Sequence, residues 1–208
     1  EIYNYSVIGT LTEPVTGRDG LDASAVSDSR IENSMLSLQE AHDVYSDTAM
    51  VSTYLFVPEN IELLGQIINM RTRVGHEALE MPDENGVVIS EKMAKLLNVG
   101  VGDTIRVERD DGVRVPLTIN GICENYVYHY LYISPELYEQ QFGAAPEFST
   151  VNMMLQDGMT DEDEDAFAES LLENSSYTSV SFTSDTGKAF SDVLTSLDAV
   201  ILVLIVCS

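Results

Sequence analysis

The sequence predicts an α+β domain of two lobes, a mixed sheet and hairpins with short helices, ending in a helix that continues into a membrane span. Three observations lead there. Strand-like and helix-like stretches follow one another irregularly, with no sustained strand–helix–strand rhythm and no repeat of about 20–50 residues. Hairpin signals concentrate in residues 104–133. The stretch Ala199-Val-Ile-Leu-Val-Leu-Ile-Val-Cys207 has no polar side chain, and the chain stops one residue later. The 208 residues, 44% apolar and 22% charged, exclude disorder and suffice for a buried core. We expect residues 1–183 to form the core domain, with a second lobe at about 84–150, and residues 184–208 to form a connecting helix and the start of a transmembrane helix.

The elements are read in order. Tyr3 to Leu11 is a strand candidate, and the Ser/Asp-rich stretch after Thr16 reads as a loop. Ile31, Met35, Leu38 and His42 recur at helical spacing, which predicts a helix over 30–42. Residues 49–57 are rich in β-branched and aromatic side chains and run into Pro58, so they predict a strand. Pro58 and Glu59 then open a helix to about Met70. Gly86 to Ile89 is a short buried strand. Ser90 caps a helix whose apolar face includes Ala94 and Leu97 and which ends at Asn98 and Gly100. Residues 104–109 and 113–120 alternate about Asp110-Asp111-Gly112, a hairpin signal, and Pro116 predicts an edge position or a bulge. Ser134 and Pro135 begin a helix to Phe142. Residues 149–155 form a strand, Thr160 caps an acidic helix over 161–173, and residues 177–182 form a last strand. Phe190, Val193, Leu194 and Leu197 define one helical face. From Ala199 onward the apolar residues surround the helix, as they do when a helix enters lipid; the competing reading is a core strand.

Charge and motif exclude several functions. Asp and Glu number 35 against 10 Lys and Arg, a formal charge of −25, which is unsuited to phosphate backbones or to lying on an anionic lipid surface. No nucleic-acid partner is expected. The two cysteines, Cys123 and Cys207, are too few for a disulfide framework or a Cys-rich zinc site. The run Asp161-Glu-Asp-Glu-Asp165 lacks the glycine and distal glutamate of a calcium loop and reads as acids at a helix N-terminus. The loop Gly17-Arg-Asp-Gly20, with Asp22 and Asp28, also lacks metal-ligand spacing. His42, His76 and His129 are scattered, and His129 reads as a structural histidine. There is no nucleophile elbow and no phosphate loop; Gly100-Val-Gly102 is a turn, and Cys123 reads as a buried thiol. The expectation is no catalytic, cofactor-binding or metal-binding residue and no enzyme activity. Tyr126, Tyr128, Tyr130 and Tyr132 alternate with Val127, His129, Leu131 and Ile133. As one strand they would present a tyrosine face, either open to a partner or packed between helix and sheet.

The segment Gly86-Val-Val-Ile-Ser-Glu-Lys-Met-Ala-Lys-Leu-Leu-Asn-Val-Gly-Val-Gly-Asp-Thr-Ile105, the hairpin after it, and Ile119-Asn-Gly-Ile122 resemble the extracytoplasmic, MacB-like periplasmic core domain of FtsX/MacB-type ABC transporter permeases. Residues 124–138, with their alternating tyrosines and Ser134-Pro-Glu136, resemble the Gram-positive-like branch of that family; the resemblance covers about residues 51–142. It implies a place at the cell membrane with this domain on the extracytoplasmic side. It implies a separate cytoplasmic ATPase subunit and a second permease copy, as homodimer or heterodimer. A peptide, a lipoprotein or a cell-wall enzyme is the kind of partner implied outside. The terminal helix would attach the domain to the membrane and serve as its mechanical link, with Lys188, Val193, Leu197 and Asp198 along it and no Gly or Pro after Gly187. A membrane-anchored extracellular peptide-binding or sensor module is the alternative. An extracellular hydrolase, the third reading, requires a converging acid–base pair in a cleft.

Overall fold

The computed structural model describes residues 2–125 and 128–183. In chain order they form β1 (Val7–Val15), two 3₁₀ turns (Arg18–Gly20 and Ala23–Val26), β2 (Ile31–Tyr45), β3 (Met50–Pro58), α1 (Ile61–Ile67), β4 (Val87–Ser90), α2 (Glu91–Leu97), β5 (Thr104–Glu108), β6 (Arg114–Cys123), β7 (Tyr130–Tyr132), α3 (Pro135–Phe142), β8 (Phe148–Leu155), α4 (Asp161–Leu172) and β9 (Tyr177–Phe182). The fold is α+β, with one mixed nine-stranded sheet and, among the described residues, four short α-helices.

Strand β2, fifteen residues long, organises the sheet. Its first half pairs with β8, and β8, β1 and β9 continue outward as an antiparallel arm. Its second half pairs antiparallel with β3 from Ser37↔Pro58 to Tyr45↔Met50. From β3 the pairing passes to β7 (parallel), β4 (antiparallel), β6 (parallel) and β5 (antiparallel), and returns to β2 through Val44↔Val107 and Tyr45↔Arg106. Six strands therefore make a closed circuit, and β2 belongs to both the circuit and the arm.

Alternation divides the side chains into two cores. The first joins Val44, Leu55, Val87, Ile89, Ile105, Leu117 and Leu131 with Met93 and Leu97 of α2, and extends along the arm through Val7, Leu36, Val151 and Tyr177 to Phe167 of α4. The second, on the other side, packs Met35, Phe56, Val88, Cys123 and Tyr132 against Leu64 and Ile67 of α1. A bulge lets β6 serve both. The β4–β6 register moves from Val87↔Ile119 to Val88↔Gly121, so Asn120 is an extra residue. Before it Leu117 and Ile119 face the first core; after it Cys123 faces the second. The Asn120 amide donates to Asp83 Oδ1 at 3.2 Å and lies over Gly86, where any β-carbon would collide with it.

Several expectations need correction. Residues 30–42 are not a helix but most of β2. Ser34 to Leu38 are all buried, because β8 covers one edge up to Ser37, β3 takes over from Ser37, and cores lie on both faces. Two-sided burial erases the period of two, and the remaining apolar spacing imitates a helix. The next helix is shorter than residues 58–70. Pro58 still pairs in β3, and Asn60 supplies the cap, its Oδ1 accepting from Glu62 N at 2.7 Å. Ser90 stands at the N-cap position of α2, yet its hydroxyl makes no capping bond and accepts from Tyr130 N at 3.4 Å. Pro116 sits where β6 has a neighbour on one side: it pairs with Arg106 of β5, while β4 covers only Ile119 to Cys123.

Candidate functional site

The tyrosine run does not form one strand. Tyr126 lies outside the described residues, Tyr128 adopts a left-handed φ of 62°, and β7 begins only at Tyr130. Parallel pairing sets Tyr130 beside Tyr54 and Tyr132 beside Phe56. The result is an aromatic ladder. Tyr132 and Tyr130 stack at 5.6 Å and 17°, Phe56 lies 5.5 Å from Tyr132, and Tyr54 lies 5.8 Å from Tyr130. Tyr128 closes the outer end edge-on to Tyr54 at 5.6 Å.

Exposure grades along the ladder. Tyr132 is 1% exposed, Tyr130 is half-buried, Tyr54 is 40% exposed and Tyr128 is 60% exposed. Burial pushes the phenols of Tyr130 and Tyr132 up, so their hydroxyls keep their protons. Cys123, beneath the ladder, is likewise pushed up to about 12, which makes it a packed thiol and not a nucleophile. The surface available to a partner is therefore Tyr54 and Tyr128, and Tyr130 and Tyr132 hold it in place. Tyr54 escapes a sequence reading because only the β3–β7 pairing brings it to the run.

The charged motifs resolve into structural turns. Asp163 accepts from Thr160 N at 2.9 Å, and Asp163 N donates to Thr160 Oγ1 at 3.2 Å, a capping box at the start of α4. In the 17–28 loop, Arg18 forks onto Glu59, Asp22 accepts from Ser24 N, and Asp28 pairs with Arg30 at 2.6 Å. The Arg30 guanidinium holds the Asp28 carboxyl below its ordinary range. Among the described residues, no group of three or more His, Cys, Asp and Glu is placed to hold a metal ion. A groove of about 560 Å³ opens where β1 bulges away from β8, and its titratable lining is Glu13 and Asp22. His129 is half-buried, and burial together with Lys92 lowers its pKa.

The family-like turn is also structural. Gly102, at φ 92°, carries α2 into β5; Asp103 Oδ2 accepts from Gly100 N at 2.7 Å, and Ile119 N donates to Asp103 O at 3.0 Å. Lys188, Val193, Leu197 and Asp198, with the expected membrane span, lie outside the described residues. Among the described residues no helix is long and apolar enough to cross a membrane.

Neither a family model nor a curated protein matches this sequence. Solved structures do match. The periplasmic region of MacB from Actinobacillus actinomycetemcomitans is 13% identical, with 91% of this chain and 92% of that one covered and a TM-score of 0.50. The extracellular domain of the noncanonic ABC-type transporter YknZ from Gram-positive bacteria is 10% identical, with 86% and 98% covered and a TM-score of 0.49. A permease-protein domain from Porphyromonas gingivalis is 15% identical, with 86% and 89% covered and a TM-score of 0.47. The chain thus has a fold like that of the MacB periplasmic region over most of both chains.

Proposed function

We propose that this chain is the extracytoplasmic domain of an ABC transporter permease, which couples ATP hydrolysis in the cytoplasm to export or mechanical work outside the membrane. The observation that carries the reading is the near-complete correspondence with the MacB periplasmic region, 91% of one chain against 92% of the other. On this reading the domain has no catalysis of its own, works with a separate cytoplasmic ATPase subunit and a second permease copy, and sits at the cell membrane facing outward. On this reading residues 1–183 are the extracytoplasmic core, with a second lobe at about 84–150. Tyr54 and Tyr128 offer the contact surface for a peptide, lipoprotein or cell-wall enzyme, because exposed tyrosines supply large, rigid contact area at low entropic cost. The segment 188–207, with Lys188, Val193, Leu197 and Asp198, is the mechanical link that passes the movement on.

A Gly-Gly insertion after Ser191 in the parent permease tests this. With its ATPase in liposomes, the variant is expected to keep hydrolysing ATP while transport or hydrolase activation is lost. Undiminished output would contradict the mechanical link.

A further inference from the structure

The strand circuit closes at a short joint. β2 and β5 share two residue pairs, Val44↔Val107 and Tyr45↔Arg106, whereas β2 and β3 stay in register from residue 37 to residue 45. On the outer face the joint is supported by Arg106 paired with Asp47 at 3.1 Å and by Arg114 over the Tyr45 ring at 3.5 Å. On the face that carries Val44 it is bridged by His42. This side chain is 6% exposed; its Nδ1 lies 2.9 Å from the Glu108 carbonyl oxygen and its Nε2 lies 3.4 Å from Glu40 Oε2.

Both oxygens can only accept. A neutral imidazole has one N–H and serves one of them, leaving a lone pair against the other; an imidazolium donates to both. The remaining surroundings agree. From the β5–β6 turn, Asp110 adds negative charge, while Arg109 is engaged by Asp111 at 2.5 Å and by Gln141 O of α3 at 3.4 Å. From α3, the Phe142 ring stands edge-on to the imidazole at 5.8 Å, with Tyr138 stacked on it at 4.4 Å. From β5, the Glu108 carboxylate is turned to Arg114 at 2.8 Å. From β3, the residue opposite is Thr53, whose buried hydroxyl has no partner.

We propose that His42 is a proton-operated latch: as the imidazolium it donates across the joint to the Glu108 carbonyl of β5 while Glu40 of its own strand β2 holds its other nitrogen, and its deprotonation costs one of these two bonds and weakens the bridge. The Glu40 hydrogen bond, partly offset by burial and reinforced by the Glu108 carbonyl and Asp110, raises the ring's pKa above its ordinary value. A pKa raised on folding contributes stability that is fully present below the unfolded value of about 6.5 and is lost as pH rises through the folded value. The arginine contacts of the outer face stay charged throughout, so the pH dependence isolates the latch. The inference does not rest on the permease reading.

The test is an NMR titration of the three histidines in the full 208-residue chain, with amide exchange at Val44, Tyr45 and Val107 followed over the same pH range. The account expects His42 to titrate above the ordinary value and His129 below it. It also expects protection at the three amides, corrected for intrinsic exchange, to fall by about threefold or more as His42 deprotonates. Glu40→Gln leaves a half-exposed site neutral and is expected to move the His42 midpoint down without unfolding. A His42 midpoint at or below the ordinary value, protection that ignores His42 deprotonation, or a midpoint unmoved in Glu40→Gln would each overturn the proposal.

Discussion

The arm and the circuit solve the same problem in opposite ways. In the arm, β2, β8, β1 and β9 run antiparallel throughout, each pairing carrying one register shift, and one helix, α4, covers their apolar face with Phe167 and Leu171. In the circuit, β7 has three residues, two of the pairings are parallel, and the joint between β2 and β5 has two residue pairs. The circuit is held by what plugs it: α2 and α3 on one face and the aromatic ladder on the other. A wholly antiparallel set of neighbours tolerates the loss of a side chain better than a joint of two or three residue pairs, because it keeps more backbone bonds. The circuit's short joints therefore depend more on their side chains than the arm does.

Core truncations compare the two directly. Phe167→Ala removes the fully buried aromatic of α4 and should cost about 3–5 kcal/mol in urea unfolding. Leu97→Ala removes the α2 plug and should cost about 2–5 kcal/mol. The distinguishing result is local. Leu97→Ala should release amide protection throughout β4 to β7 while β1 and β8 remain protected; uniform loss would show that circuit and arm do not open separately. A smaller effect is expected at the β6 bulge. Gly86→Ala drives a methyl into Asn120 and should cost about 1–3 kcal/mol. Adding Asn120→Ala should recover most of that, and equal costs in the single and double variants would mean the collision is not the cause. The smallest effect is at the ladder's outer end. Tyr128→Ser should change stability by no more than about 0.5 kcal/mol, because the ring is exposed. Unfolding of this variant would show that Tyr128 is a packing residue and remove it from the contact surface.

Elements with local signals were legible in the sequence. Ser134 caps α3 by accepting from Leu137 N at 3.1 Å with Pro135 behind it, Thr160 and Asp163 box the start of α4, and Asp110-Asp111-Gly112 turns β5 into β6. What stayed hidden depends on distant partners. β2 looks helical because both its faces are buried, and the circuit depends on pairings such as β3 with β7, Tyr54 with Tyr130, 76 residues apart, which no periodicity encodes. The site followed the same rule. The tyrosine run was visible, but its division into buried Tyr132 and exposed Tyr128 comes from a left-handed residue and a parallel neighbour. His42 was visible only as a helix position, since its two oxygen partners come from its own strand and from residue 108.

The outward placement of the domain is tested most directly by a single cysteine. Val101 stands 64% exposed on the turn after α2, and Cys123 is buried. With Cys207 changed to Ser in the parent protein, Val101→Cys should react with a membrane-impermeant maleimide in intact cells, at the rate it shows after lysis. Reaction only after lysis would place the domain on the inner side and contradict the account.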